Sequence, residues 1–131
     1  MTRRLPWLAL LYSLGAACQD PAGPTMAPGT YTLVSVDGAA LPSPNRSHLE
    51  NGTLELSPFG SARRRVTYRF GPQPLVHEAS GSYRVTGTTI ELTLVESGGH
   101  VWRVRGTIEG AAITLRYPHP ADGEAAERYE R

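Results

Sequence analysis

Residues 88–117, TTIELTLVESGGHVWRVRGTIEGAAITLRY, decide the fold. Three runs in this stretch place apolar side chains at alternate positions, with charged or hydroxyl side chains between them. The alternating apolar residues are Ile90, Leu92 and Leu94, then Trp102, Val104 and Ile108, then Ile113, Leu115 and Tyr117. Because successive side chains of a strand point to opposite faces, each run predicts a strand with one face for a core and one for water. The segments between the runs are short enough to predict antiparallel neighbours.

The same two-residue period recurs in most of the chain from residue 29 onward. Further runs are TYTLVSV (30–36), GTLELS (52–57), RRRVTYRF (63–70), SYRV (82–85) and AERYER (126–131). Together the runs predict an all-β domain over residues 29–131, in which seven or eight antiparallel strands form an up-and-down meander. Closing the meander into a small barrel would remove its exposed edges.

On the outward faces, glutamates and arginines are predicted to pair across neighbouring strands. The residues are Glu91, Glu109 and Glu130 with Arg84, Arg103, Arg105, Arg116 and Arg128. Such exposed pairs mark the register of strands more than they stabilise the fold.

The N-terminus has the layout of a secretory signal peptide. Met1–Arg4 is basic, residues 5–14 are mainly apolar, and three small residues follow. The apolar run is too short for a transmembrane helix, so we expect residues 1–17 to be removed on export. All thirteen basic residues are arginine, and two lie in this leader, which leaves eleven against twelve acidic residues. A nearly neutral mature domain is a poor candidate for nucleic-acid binding.

Cys18 is the only cysteine, so no internal disulfide can form. A free thiol, an intermolecular bridge and a lipid attachment site all fit a lone cysteine. The sequence SLGAAC (13–18), followed by a proline-rich tether to residue 28, resembles the lipobox of bacterial lipoproteins, although Gly15 stands where a leucine is usual. This resemblance implies lipidation of Cys18, with simple cleavage after Ala17 as the alternative. Gln19 in place of the aspartate that retains some lipoproteins at the inner membrane favours the outer membrane.

The domain itself resembles small bacterial lipocalin-like lipoproteins. The matching segments are GTYTLVSVDGAALP (29–42), GSYRVTGTTIEL (81–92) and GTIEGAAITL (106–115), in which glycines are interpreted as turn residues that precede strands. The resemblance implies an eight-stranded lipocalin-like barrel and a small apolar ligand. It supplies no catalytic residue.

Several inward-facing side chains are candidates for lining a ligand site, because aromatic rings with polar tips can both pack and orient a ligand. They are Tyr31, Arg64, Tyr68, Tyr83, Trp102 and Tyr117. Arg64 lies between two outward-facing arginines and would hold a ligand carboxylate at the barrel mouth. The alternatives are that Arg64 is a solvated rim residue and that the aromatic rings simply fill the core.

No catalytic, metal or cofactor motif is found. The histidines at 48, 77, 100 and 119 fall in or beside predicted loops, without metal-ligand spacing. We therefore expect a non-enzymatic, exported, lipid-anchored barrel that binds a small apolar molecule or a partner at the cell envelope. The alternative is a protein-interaction module, such as an inhibitor or assembly factor, with a filled core. An open apolar cavity would favour the first hypothesis and a filled interior the second.

Overall fold

A computed structural model describes residues 28–42, 49–119 and 123–131. Within them, nine strands form one antiparallel sheet. The strands are β1 (Gly29–Val36), β2 (Ala39–Ala40), β3 (Leu49–Leu56), β4 (Ser61–Phe70), β5 (Gln73–Thr86), β6 (Thr89–Glu96), β7 (Val101–Glu109), β8 (Ala112–His119) and β9 (Gly123–Glu130). The eight long strands follow one another in a meander, and β1 also pairs with β9, which closes the barrel. The predicted fold class is confirmed, with the two-residue β2 as an addition beside β1.

The interior is filled by the inward-facing side chains. In β7, for example, Val104 and Ile108 are buried, whereas Arg103 and Arg105 are exposed. The buried apolar residues form one contiguous cluster to which every long strand contributes. A barrel of eight strands is just wide enough for its own side chains or for one small ligand. Here the side chains occupy it.

The two ends of the barrel differ, and we refer to them as the base and the rim. At the base, β1 begins at Gly29, and short connections at 57–60, 87–88 and 110–111 join neighbouring strands. At the rim, β4 ends, β5 begins, and residues 97–100 connect β6 to β7. The chain thus enters the barrel at its base.

Strand β5 is longer than the sequence predicts. The alternating pattern predicts a strand only at 82–85, but β5 begins at Gln73, and His77 lies within it, not in or beside a loop. Pro72 and Pro74 interrupt the alternation of apolar and polar residues by which a strand is predicted. Pro74 is accommodated because β6 pairs with β5 only from Ala79 onward, so the first six residues of β5 have, among the described strands, a neighbour on the β4 side alone. We call residues 73–78 the β5 extension.

Two glycines lie inside strands at points of close backbone approach. The sequence pattern predicts a turn at Gly81, but this residue lies in the middle of β5. A Cβ atom there would lie 1.9 Å from the carbonyl oxygen of Thr93, and one on Gly106 would lie 2.2 Å from that of Thr114. Both positions therefore need glycine for space and not for a turn.

The outward charges pair only in part as predicted. Arg84 and Arg105 both contact Glu91. Arg128 contacts Glu109 and Glu130. Arg103 and Arg116 do not follow the prediction, since neither has a carboxylate within 4 Å among the residues that the structure describes.

The predicted signal peptide, Cys18, the tether up to residue 27 and His48 lie outside the described residues. In the described ranges, no helix has both the length and the apolar character needed to cross a membrane.

Candidate functional site at the rim

The six predicted lining residues divide between the two ends of the barrel. Toward the rim lie Arg64, Tyr68, Trp102 and Tyr117, and toward the base lie Tyr31 and Tyr83. The rim therefore brings together four of them, which makes it the candidate site. Cys18 lies outside the described residues.

Arg64 points into the barrel from β4 and binds Glu127 of β9. Its Nε donates to Glu127 Oε1 at 3.0 Å, and Nη2 donates to Oε2 at 2.6 Å. The Arg64 side chain is 3% exposed and that of Glu127 is 0% exposed. The carboxylate that Arg64 holds thus comes from the chain itself.

Two tyrosines complete the surroundings of this buried pair. The Tyr129 hydroxyl donates to Glu127 Oε1 at 2.7 Å and accepts from Arg64 Nε at 3.2 Å. The Arg64 guanidinium carbon lies 3.7 Å from the centre of the Tyr117 ring, which is cation–π geometry. A buried ion pair is stable only when its remaining donors and acceptors are also satisfied, and these contacts serve that purpose.

The protonation states follow from burial and from the pair itself. Burial acts to lower the pKa of Arg64, but the adjacent Glu127 carboxylate raises it well above the ordinary value. Burial, together with Glu127, raises the pKa of Tyr129 well above its ordinary value. Burial also raises the pKa of Tyr117 to about 12 and raises that of Tyr68. At neutral pH the core therefore holds a charged guanidinium among neutral phenols.

Glu127 is the important residue that the sequence analysis missed. It shares the parity of Ala125 and Tyr129, which are both buried, so alternation alone places it inside. A charged residue near the end of a chain is usually assigned to the surface. The useful signal was Arg64, because an arginine predicted to face inward requires a buried counter-charge.

An aromatic layer lies above the buried pair. The Trp102 and Tyr117 ring centres are 6.0 Å apart, and the His100 ring lies 4.1 Å from that of Trp102. Trp102 Nε1 donates to Glu96 Oε1 at 2.7 Å. This hydrogen bond fixes the indole at the point where β6 ends and β7 begins.

The β5 extension forms another side of the rim. The His77 ring packs edge-on against the Tyr68 ring at 5.8 Å, and His77 Nδ1 lies 3.9 Å from Glu96 Oε1. Leu75 pairs in register with Tyr68 and is 49% exposed. We define the rim site as Tyr68, Leu75, His77, Glu96, His100 and Trp102.

The arrangement suits shallow binding of a flat molecule. The partly buried rings of Tyr68 and Trp102 provide apolar surface, and the Glu96 side chain, 25% exposed, provides an acceptor that solvent can reach. Below them, Arg64, Glu127 and Tyr117 occupy the interior. Within the described ranges, no group of three or more histidine, cysteine or acidic side chains is placed to hold a metal ion.

Tyr31 and Tyr83 contribute to packing at the base. The Tyr83 hydroxyl donates to the Ser57 carbonyl oxygen at 2.6 Å, and burial raises the pKa of Tyr83. Tyr31 is buried, and the Arg131 guanidinium carbon lies 5.8 Å from its ring centre. These two residues are separated from the rim site by the core.

The chain matches no protein-family model, no curated protein and no solved structure.

Proposed function

We propose that the protein is a non-enzymatic, lipocalin-like binding barrel, exported and anchored at the bacterial cell envelope through lipid on Cys18, that takes a small apolar ligand at its rim. The observation that carries the proposal is the partly buried aromatic surface that Tyr68 and Trp102 present at the rim. The filled interior by itself favours the alternative, so the ligand would have to bind at the rim and not inside the barrel. A ligand with a flat apolar ring would lie against Trp102 and Tyr68, and a donor group on it would bond to Glu96.

The position of Cys18 in the sequence supports a ligand site at the rim, because an anchor there would lie on the side of the base. Strand β1 begins at the base, at Gly29, eleven residues after Cys18. Eleven residues reach at most about 40 Å, so a lipid on Cys18 would keep the base near the membrane. The rim is the end of the barrel farther from this attachment point. Replacing Cys18 with serine should release the protein from the membrane fraction, and an unchanged distribution would remove the anchor from the proposal.

Ligand binding can be measured through Trp102. It is the only tryptophan after residue 17, since the other is Trp7. Mature protein, released from cells by mild detergent, should carry a small apolar molecule detectable by mass spectrometry. It should also bind a neutral, flat, aromatic fluorescent probe, with a change in Trp102 emission.

A matched pair of variants tests whether such binding occurs at the rim. Leu75→Glu places a charge in the rim site, whereas Val95→Glu places one at a similarly exposed valine of β6 outside that site. We expect Leu75→Glu alone to weaken probe binding. Protein that carries no molecule and binds no probe would refute the ligand proposal, as would equal effects of the two substitutions.

A protein-interaction module is the second candidate, and the filled interior together with the β5 extension favours it. Residues 73–78 have no strand on the β6 side within the described part of the chain, and Leu75 and Val76 are exposed there. An open, apolar strand edge can pair with an extended segment of another protein. A photo-crosslinker at position 76 should then give a discrete adduct in intact cells, and one at position 95 should not.

A further inference from the structure

Four charged residues form a single row across the outside of the barrel. In the strand register, Arg84 of β5 lies opposite Glu91 of β6, Glu91 opposite Arg105 of β7, and Arg105 opposite Arg116 of β8. We call these four residues the arginine row. Neighbouring strands are about 4.8 Å apart, so the row spans roughly 14 Å.

The row carries more positive charge than its single glutamate can neutralise. Glu91 accepts a hydrogen bond from Arg84 at 3.3 Å and one from Arg105 at 3.0 Å. These hydrogen bonds, from Arg105 first and then from Arg84, lower the pKa of Glu91. Arg116 stands directly opposite Arg105, an arrangement of like charges that destabilises a sheet. Arg103, two residues before Arg105, is exposed and, like Arg116, has no carboxylate within 4 Å among the described residues.

The face formed by β3, β4 and the β5 extension shows that this excess is local. On β3, β4 and β5, three outward arginines meet three glutamates. The contacts are Arg63 with Glu55 and Glu78, Arg65 with Glu78, and Arg69 with Glu50. A general surplus of arginine would give both faces more arginines than glutamates. Only the face with the arginine row has this excess.

The surface is concave at three members of the row, Arg84, Glu91 and Arg105, and the fourth, Arg116, lies next to this depression, opposite Arg105. A depression of about 780 Å³ is lined by Arg84, Glu91, Arg103 and Arg105, with the side chains of Ser82 and Thr93 beside them. Guanidinium groups and hydroxyls both donate hydrogen bonds, and several guanidiniums can share the three oxygens of one phosphate group. A carboxylate offers only two oxygens and a single charge.

We propose that the arginine row, with Arg103, is a binding site for a phosphate monoester group. The group would lie between Arg103, Arg105 and Arg116, where its charge of about −1.5 to −2 would offset the repulsion between the last two. The phosphate can belong to a soluble molecule or to a lipid headgroup. This site lies on the outer face of the sheet and is independent of the proposed rim ligand.

The test compares two double variants of the full-length chain that lose the same charge. Arg103→Gln with Arg116→Gln removes two arginines of the site, and Arg63→Gln with Arg65→Gln removes two from the balanced side. Thermal unfolding and calorimetric titration are measured with inorganic phosphate and pyrophosphate, against chloride at equal ionic strength. Flotation is measured with phosphatidylcholine vesicles with and without phosphatidic acid, on the same proteins carrying Cys18→Ser so that no lipid anchor attaches them to the vesicles.

Wild-type protein should bind phosphate or pyrophosphate, or should float only with vesicles that contain phosphatidic acid. The first result identifies a soluble ligand and the second a headgroup. In either case the Arg103/Arg116 variant should bind roughly tenfold or more weakly, because charge-assisted hydrogen bonds are lost, while the Arg63/Arg65 variant should match the wild type. Equal weakening in both variants would show a general charge effect and overturn the proposal. Absence of binding to every probe would also overturn it.

Discussion

Arg63 and Arg64 are consecutive residues of β4, and each donates hydrogen bonds from two nitrogen atoms to one glutamate, yet their surroundings differ completely. Arg63 donates to Glu78 Oε1 from Nε at 3.0 Å and from Nη2 at 2.8 Å, and its side chain is 52% exposed. Arg64 binds Glu127 inside the barrel at 3% exposure. The alternation of a strand sends one arginine into water and the next into the core. The same chemical pair thus occurs once in each medium.

The difference shows that the surroundings determine how much stability is lost when one partner of an ion pair is removed. Water screens the exposed pair and can solvate either partner alone, so losing one side chain costs little. In the core no water replaces a lost partner, and a single buried charge is left uncompensated. The buried pair should therefore be the more sensitive of the two, even though its distances are similar.

The largest expected effect comes from Glu127→Gln. This change keeps the shape of the side chain but leaves the Arg64 charge buried without a counter-charge, so we expect a loss of about 3–5 kcal/mol in the free energy of unfolding. Urea denaturation followed by Trp102 fluorescence measures it. The double variant Arg64→Leu with Glu127→Leu should lose less than Glu127→Gln alone. A Glu127→Gln protein within 1 kcal/mol of wild type would contradict the comparison.

The second-largest effect is expected at high pH, where ionisation of Tyr117 beside the buried pair should lower the free energy of unfolding. Because burial raises the pKa of Tyr117 to about 12 from the ordinary 10.0, its contribution is complete below pH 10 and is lost as pH rises toward 12. The loss in the free energy of unfolding should be on the order of 2–3 kcal/mol. Denaturant unfolding at several pH values, with phenolate absorbance, checks this. In Tyr117→Phe the alkaline loss should be smaller, and an identical loss would assign it to other groups.

Removing one hydroxyl from the buried network should cost somewhat less. Tyr129→Phe deletes the donor to Glu127 and the acceptor for Arg64, both of which are charged, so we expect about 2 kcal/mol of destabilisation. Tyr83→Phe deletes only a neutral hydrogen bond to the Ser57 carbonyl and should lose less, as measured by the same urea experiment. A larger loss for Tyr83→Phe would show that the buried network is not the sensitive element.

The smallest effect is expected at the exposed pair. Hydrogen bonding and charge from Arg63 lower the pKa of Glu78. The contribution of this pair is therefore present at neutral pH and is lost only as pH falls below the ordinary value of 4.5 through the lowered one. Glu78→Gln should leave the urea midpoint at pH 7 unchanged within error, in both low and high salt. A midpoint shift comparable to that of Glu127→Gln would contradict the conclusion that the buried pair is the more sensitive of the two.

Most strands could be predicted from the sequence because apolar and polar side chains alternate within each of them. The inward face of a strand can be assigned from that strand alone, as with Leu92 and Leu94 in β6 or Ile113 and Leu115 in β8. The start of β5 could not be predicted in this way, because Pro72 in the preceding turn and Pro74 in the strand interrupt the pattern. Pro74 is tolerated at a strand edge whose existence depends on where β6 ends.

The candidate site was harder to predict, because it depends on pairs that are remote in sequence. Alternation showed which aromatic side chains point inward, but not that Trp102 lies near the rim while Tyr83 lies near the base. That division follows from strand register. The partnership of Arg64 with Glu127 joins residues 63 positions apart, and nothing local to either residue indicates it.

The closure of β1 against β9 has a consequence for the order of folding. The counter-charge for Arg64 is carried by β9, and β9 also supplies the pairing that closes the barrel. Until residues 123–130 are available, the first half of the sheet can form hairpins, but it cannot bury Arg64 without leaving a bare charge in an apolar interior. We therefore expect the burial of Arg64 to be delayed until β9 is in place, so that completion of the core depends on the long-range pairing of β1 with β9, which is typical of slowly folding, non-local β-topologies.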